Sequence, residues 1–176
     1  HKSKGLEFPV VFLAELDSEF NLRDVRSDLV ADTDYTLGLR VVDTRSNAKL
    51  PTLAHQVIAE KKRAVTLAEE MRILYVAMTR AKGRLIVTAS QKRTDCGRVL
   101  AKGLLLSDPA VPSWLLKSAP SPMEWLLYGL ADQRALHEAF ETPLTPPADD
   151  AALFELHVHR AEAMQQLTQQ VRALRD

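Results

Sequence analysis

Residues 8–14 read FPVVFLA, a continuous apolar run bounded by polar residues. Its length and β-branched content predict a buried strand, of the kind that sits in a parallel sheet covered on both faces. Further on, Pro51 opens a helical region, because a proline is tolerated in a first turn. Leu67, Met71, Leu74 and Met78 then recur at helical spacing on one face. Gly83 is expected to end that helix, since glycine accepts the left-handed conformation after a C-terminus. Residues 84–89 (RLIVTA) give a second short apolar strand. Strand, long helix, strand is the pattern of an α/β unit.

Two segments beside these elements carry candidate chemistry. The first, HKSKGLEF at 1–8, enters the first strand. The second, EEMRILYVAMTRAK at 69–82, closes the long helix. Lysines at a strand's start attract phosphate, and a glycine lets a ligand approach the backbone closely. Glu7 repels phosphate, so its natural partners there are sugar hydroxyls. Arg80 stands where helix turns into strand, and its planar fork suits phosphate oxygens. Such an arginine can stabilise the charge that develops in γ-phosphoryl transfer. Taken singly, K-x-K-G is usually a solvated turn, and T-R-A a helix end with a favourable cation.

In order and context, the two segments resemble motifs V and VI of superfamily 1 DNA helicases of the UvrD/Rep/RecB group. SEFNLRD (18–24), DYTLGLRVVD (34–43), LPTLAHQVIAEKKR (50–63) and SPMEWLLYGL (121–130) further resemble the AddA (RexA) subunits of bacterial ATP-dependent helicase/nucleases. The resemblance implies an α/β fold in which residues 1–92 belong to a second RecA-like motor lobe with a parallel sheet. Residues 93–176 are then a mixed α/β extension leading toward a further C-terminal domain. It implies ATP between two lobes, with Mg2+ held by the other lobe. Arg80 matches the arginine that reaches the γ-phosphate and is the expected catalytic group. Gly5 and Glu7 match nucleotide-binding positions, Glu7 at the ribose. His1 and Lys4 match positions beside single-stranded DNA. Expected partners are DNA ends, the first motor lobe and the second subunit of a heterodimer. Translocation on single-stranded DNA and processing of double-strand breaks follow as the implied function.

The alternatives are a UvrD/Rep-type helicase without nuclease, and a non-catalytic module binding DNA or a partner. No G-x-x-x-x-G-K-[ST] loop occurs here, so this chain alone is expected to be inactive. Cys96 is the lone cysteine, which excludes an internal disulfide or a cysteine-ligated cluster and points to a reducing, cytoplasmic setting. The 176 residues, opening on His1, read as a piece of something longer. Lys plus Arg equals Asp plus Glu at 23 each, and 46% of residues are hydrophobic, which argues against wholesale disorder. No apolar run reaches the length of a membrane span, and no metal site is expected.

Local patterns give the remaining expectations. Seven acidic residues between Glu15 and Asp34 read as part of an irregular insertion over 17–50, and seven basic ones between Arg80 and Lys102 as a face that could meet phosphate. Ser121 is expected to cap a helix reaching Leu136, with Pro122 at its first position. Phe154, Leu156 and Val158 alternate like a half-buried strand, and 161–174 reads as an amphipathic helix. His55, His137, His157 and His159 read as structural or surface histidines. Leu74, Tyr75, Met78, Phe8, Trp114 and Trp125 read as core, with Arg72 and Thr79 packing.

Overall fold

The computed structural model describes residues 5–106, 110–144, 146 and 154–174. They fall into two compact units, residues 1–91 with 110–126, and residues 92–109 with 127–176. In the first, β1 (Phe8–Leu13) pairs in parallel with β5 (Ala81–Val87). The connection between them holds α1 (Arg23–Arg26), three further strands and the 26-residue α2 (Leu53–Met78). The anticipated strand–helix–strand unit is therefore present.

Its details depart from the sequence pattern in instructive ways. Gly83 lies inside β5 and does not end α2. Opposite the step from Phe8 to Val10, the partner strand advances from Ala81 to Arg84, so β5 carries one extra residue. Pro9, which has no N–H to give, faces this bulge. A Cβ on Gly83 would stand 3.0 Å from the Pro9 carbonyl oxygen, which explains the glycine. Helix α2 stops instead at Thr79, whose N–H reaches back to Tyr75 O, while the next N–H, of Arg80, tightens onto Ala77 O.

β1 is not covered on both faces. Phe8, Val10 and Phe12 are exposed, and among the described residues only β5 lies beside this strand. A wholly apolar strand needs layers above and below, and the described residues do not supply them. Tyr75 and Trp114 are likewise exposed, contrary to the core reading, whereas Leu67, Leu74 and Trp125 are buried.

The stretch expected to be irregular folds as an antiparallel sheet of β2 (Leu29–Asp32), β3 (Thr36–Asp43) and β4 (Ala48–Pro51). Aspartates build both turns. Asp32 Oδ1 accepts the Asp34 N–H at 2.9 Å, and Asp43 accepts from Arg45 N at 3.0 Å and Ser46 Oγ at 2.6 Å. Such side-chain closures substitute for glycine-rich turn sequences. The sheet is bound to the start of α2. Thr52 Oγ1 caps the helix by accepting His55 N–H at 3.2 Å and donates to Leu39 O at 2.8 Å. Buried His55 holds Ser27 O at 2.8 Å through Nε2. Lys61 bridges Asp32 at 2.9 Å and Asp34 at 2.5 Å.

Around this frame, Phe20 stacks on Trp125 with ring centres 4.5 Å apart, and the indole N–H donates to Leu116 O at 2.8 Å. Leu116 lies in α4 (Ser113–Ser118). In the second unit, α3 (Arg93–Leu104) buries Cys96, Val99 and Leu100. The helix expected from Ser121 to Leu136 is two helices, α5 (Pro122–Gly129) and α6 (Arg134–Ala139). The Ser121 hydroxyl is buried without a hydrogen-bond partner, so it does not cap α5. Residues 155–160 are extended but unpaired, not a strand. Helix α7 (Ala161–Ala173) forms as expected, with its apolar stripe of Met164, Leu167 and Val171 exposed.

Candidate functional site

The parallel register of β1 and β5 brings the two motif segments together. The Phe8 N–H donates to Arg80 O at 2.8 Å, and Phe8 stands opposite Ala81. Glu7 and Arg80 therefore precede paired positions at the same end of the two strands. Before them, Gly5 adopts φ +82°, a conformation that favours glycine, and no atom lies within 4 Å of where its Cβ would be. The Glu7 carboxylate is exposed and makes no ion pair among the described residues. His1 and Lys4 lie outside the described residues.

Arg80 is half-buried and folds back on its own helix. Its Nε donates to Val76 O at 3.2 Å, and Nη2 stands 3.5 Å from Thr79 Oγ1, too long to hold it firmly. Thr79 in turn donates to Val76 O at 3.0 Å. A cation over the last carbonyls of α2 is favoured by the helix dipole. Arg72 does not pack, nor does it reach this edge. Its guanidinium grips Glu69 bidentately at 2.8 and 2.5 Å, and this pairing holds the Glu69 carboxyl below its usual range.

The four histidines divide. His55 and His137 are buried and hydrogen-bonded, His137 to Ala131 O at 2.7 Å and Thr142 Oγ1 at 2.6 Å. His157 pairs with Glu155 at 2.9 Å on the surface. Among the described residues, no group of three His, Cys, Asp or Glu could hold a metal ion. None of their helices is long and apolar enough to cross a membrane.

A parallel strand pair joined by a long helix, with a glutamate and an arginine at one end, is the framework of a nucleotide-driven motor lobe. Residues 1–92 match the UvrD-like helicase C-terminal domain, and the chain belongs to that family. Among curated proteins it is similar to the A-type polypeptide of the ATP-dependent helicase/nuclease of Anoxybacillus flavithermus, 37% identical over 177 residues and matched along 100% of this chain. The protein of the same name from Heliobacterium modesticaldum is 45% identical over 72% of the chain, and that from Natranaerobius thermophilus 53% over 52%. The chain spans 14%, 9% and 7% of the length of these relatives.

Proposed function

We propose that this chain forms part of the second motor lobe of an ATP-dependent DNA helicase/nuclease. The whole protein would translocate on single-stranded DNA and process double-strand ends for recombinational repair. The observation that carries the reading is the Phe8–Arg80 main-chain bond, which sets Glu7 and Arg80 side by side. The relatives' shared name favours a helicase/nuclease over a helicase lacking the nuclease.

The donor set fits a nucleotide triphosphate. Gly5 leaves open space for close approach, Glu7 offers a free carboxylate to ribose hydroxyls, and Arg80 offers a fork to the γ-phosphate. ATP supplies the hydrolysable phosphoanhydride, and Mg2+ would be held by the first lobe. Releasing Arg80 from its helix gives up one long neutral-acceptor bond, about 0.5–1.5 kcal/mol. A charge-assisted contact with phosphate is roughly twice as strong, so the swing is favourable once the lobes close. Arg80 then reports the γ-phosphate, and lobe closure and opening advance DNA gripped across both lobes. His1 and Lys4 are the DNA contacts proposed from the motif. Residues 93–176 form the extension beyond the lobe, and the other polypeptide of the heterodimer is the expected protein partner.

The test is Arg80→Ala in the full-length protein. DNA-stimulated ATP turnover should fall by about a thousandfold or more, the scale of a lost arginine finger. Unchanged turnover would show that Arg80 does not contact the γ-phosphate.

A further inference from the structure

Arg26 on α1, Arg40 on β3 and Arg63 on α2 converge on one cleft of about 340 Å³. His55, Gln56, Ala59 and Glu60 line it from the same helix face, each within a turn or two of Arg63. Three guanidinium groups gathered from three elements repel one another, and something must justify that cost. Carboxylates do not. None of the three arginines forms an ion pair among the described residues, although Glu60 lines the cleft. Asp28, close enough to Arg40 to feel its charge, is engaged by Lys49 at 2.5 Å.

Two details sharpen the point. The Arg40 Nε is buried with no hydrogen-bond acceptor. A buried donor left unmade costs about 1–3 kcal/mol, so such groups mark places where an acceptor is meant to arrive. Arg63, by contrast, is steadied: its Nη2 donates to Lys117 O at 2.8 Å, which fixes the side chain over the cleft. Two of the walls are rigid, because α2 starts on the Thr52 cap and the His55–Ser27 bond ties it to the segment carrying Arg26.

We propose that the Arg26–Arg40–Arg63 cleft is an oxyanion site that takes a backbone phosphate of a DNA strand. Arginine forks bind phosphate oxygens bidentately, and three of them outweigh the single Glu60 charge. The neutral His55 and Gln56 side chains and the apolar Val25, Pro51 and Ala59 leave room for the sugar beside the phosphate. The DNA source rests on the motor reading, whereas the oxyanion chemistry stands on the arginines alone.

The experiment uses the full-length protein and a fluorescein-labelled oligothymidylate. Binding is followed by anisotropy between about 50 and 200 mM salt. Arg26→Ala removes an exposed arginine, and Arg40→Gln removes the one with the buried Nε. Each is expected to weaken binding several-fold and to make the log–log salt slope shallower by about 0.7, the single-strand value for one phosphate contact. Unchanged slopes in both variants overturn the proposal. Inorganic phosphate, titrated calorimetrically, separates the sources. Saturable phosphate binding that Arg26→Ala abolishes, with DNA slopes unchanged, keeps the oxyanion site and overturns the DNA strand as its occupant. Arg80→Ala distinguishes the two readings. It should keep the wild-type salt slope while losing ATP turnover, whereas Arg26→Ala at saturating DNA should keep turnover.

Discussion

Gly38 is the tightest point of the first unit. A Cβ there would stand 2.5 Å from His55 Cα, 2.7 Å from His55 N and 3.0 Å from the Ala54 carbonyl carbon. All three are backbone atoms in the first turn of α2, so no side chain can swing aside. Gly38→Ala must push helix and strand apart by nearly an ångström to reach ordinary contact. The neighbouring Leu39 carbonyl holds both the Thr52 N–H at 3.0 Å and its hydroxyl at 2.8 Å, and these bonds would stretch. Overpacking costs about 1–3 kcal/mol, with the upper end fitting a backbone obstacle. A weakened N-cap adds up to about 1 kcal/mol. A total near 3 kcal/mol lowers Tm by about 6–12 °C for a chain of this size. Thermal melts followed by far-ultraviolet circular dichroism measure it. Gly129→Ala, where no atom lies within 4 Å, is the control and should melt near wild type. A Gly38→Ala melt within about 2 °C of wild type would refute the close-approach argument.

Other outcomes follow from the same contacts. The Lys61 hydrogen bond holds the Asp32 carboxyl below its usual range, and Asp34 and Asp32 together raise the Lys61 ammonium. Asp32 thus contributes stability above its unfolded pKa that is lost as pH falls through the lower folded value. Lys61 contributes below its own ordinary pKa and loses it only in strong alkali. Amide-exchange protection in the β2–β3 hairpin should decline below about pH 4, and Lys61→Met should flatten that decline. Trp125→Phe keeps the ring against Phe20 but removes the donor to Leu116 O. The urea midpoint should drop by the equivalent of about 1–2 kcal/mol, and an unchanged midpoint would mean the indole bond contributes nothing.

The strand at residue 8, the long helix and the second strand were legible because each carries a sustained local pattern. The β2–β4 sheet was not, because its strands are short and its turns close on Asp32 and Asp43 rather than on glycine. Gly83 misled for a related reason: its role is set by Pro9 across the sheet, a neighbour that no local window contains. The alternation of Phe154, Leu156 and Val158 had the period of a strand, but pairing requires a partner, and none lies beside it among the described residues. Motif order associated Glu7 with Arg80, yet only the β1–β5 register makes them adjacent. The Arg26–Arg40–Arg63 cleft gave no signal at all, since its members sit far apart in sequence on three different elements.

The unbroken α2 has one more use. Leu53 and Tyr75 stand near its two ends, both well exposed. At 1.5 Å per residue they are about 33 Å apart, a spacing that helix geometry fixes whatever the rest of the protein does. A dye pair at these two positions would be an internal ruler, its transfer efficiency constant throughout turnover. Moving one dye to another part of the protein would then read displacement against a calibrated length carried by the same molecule.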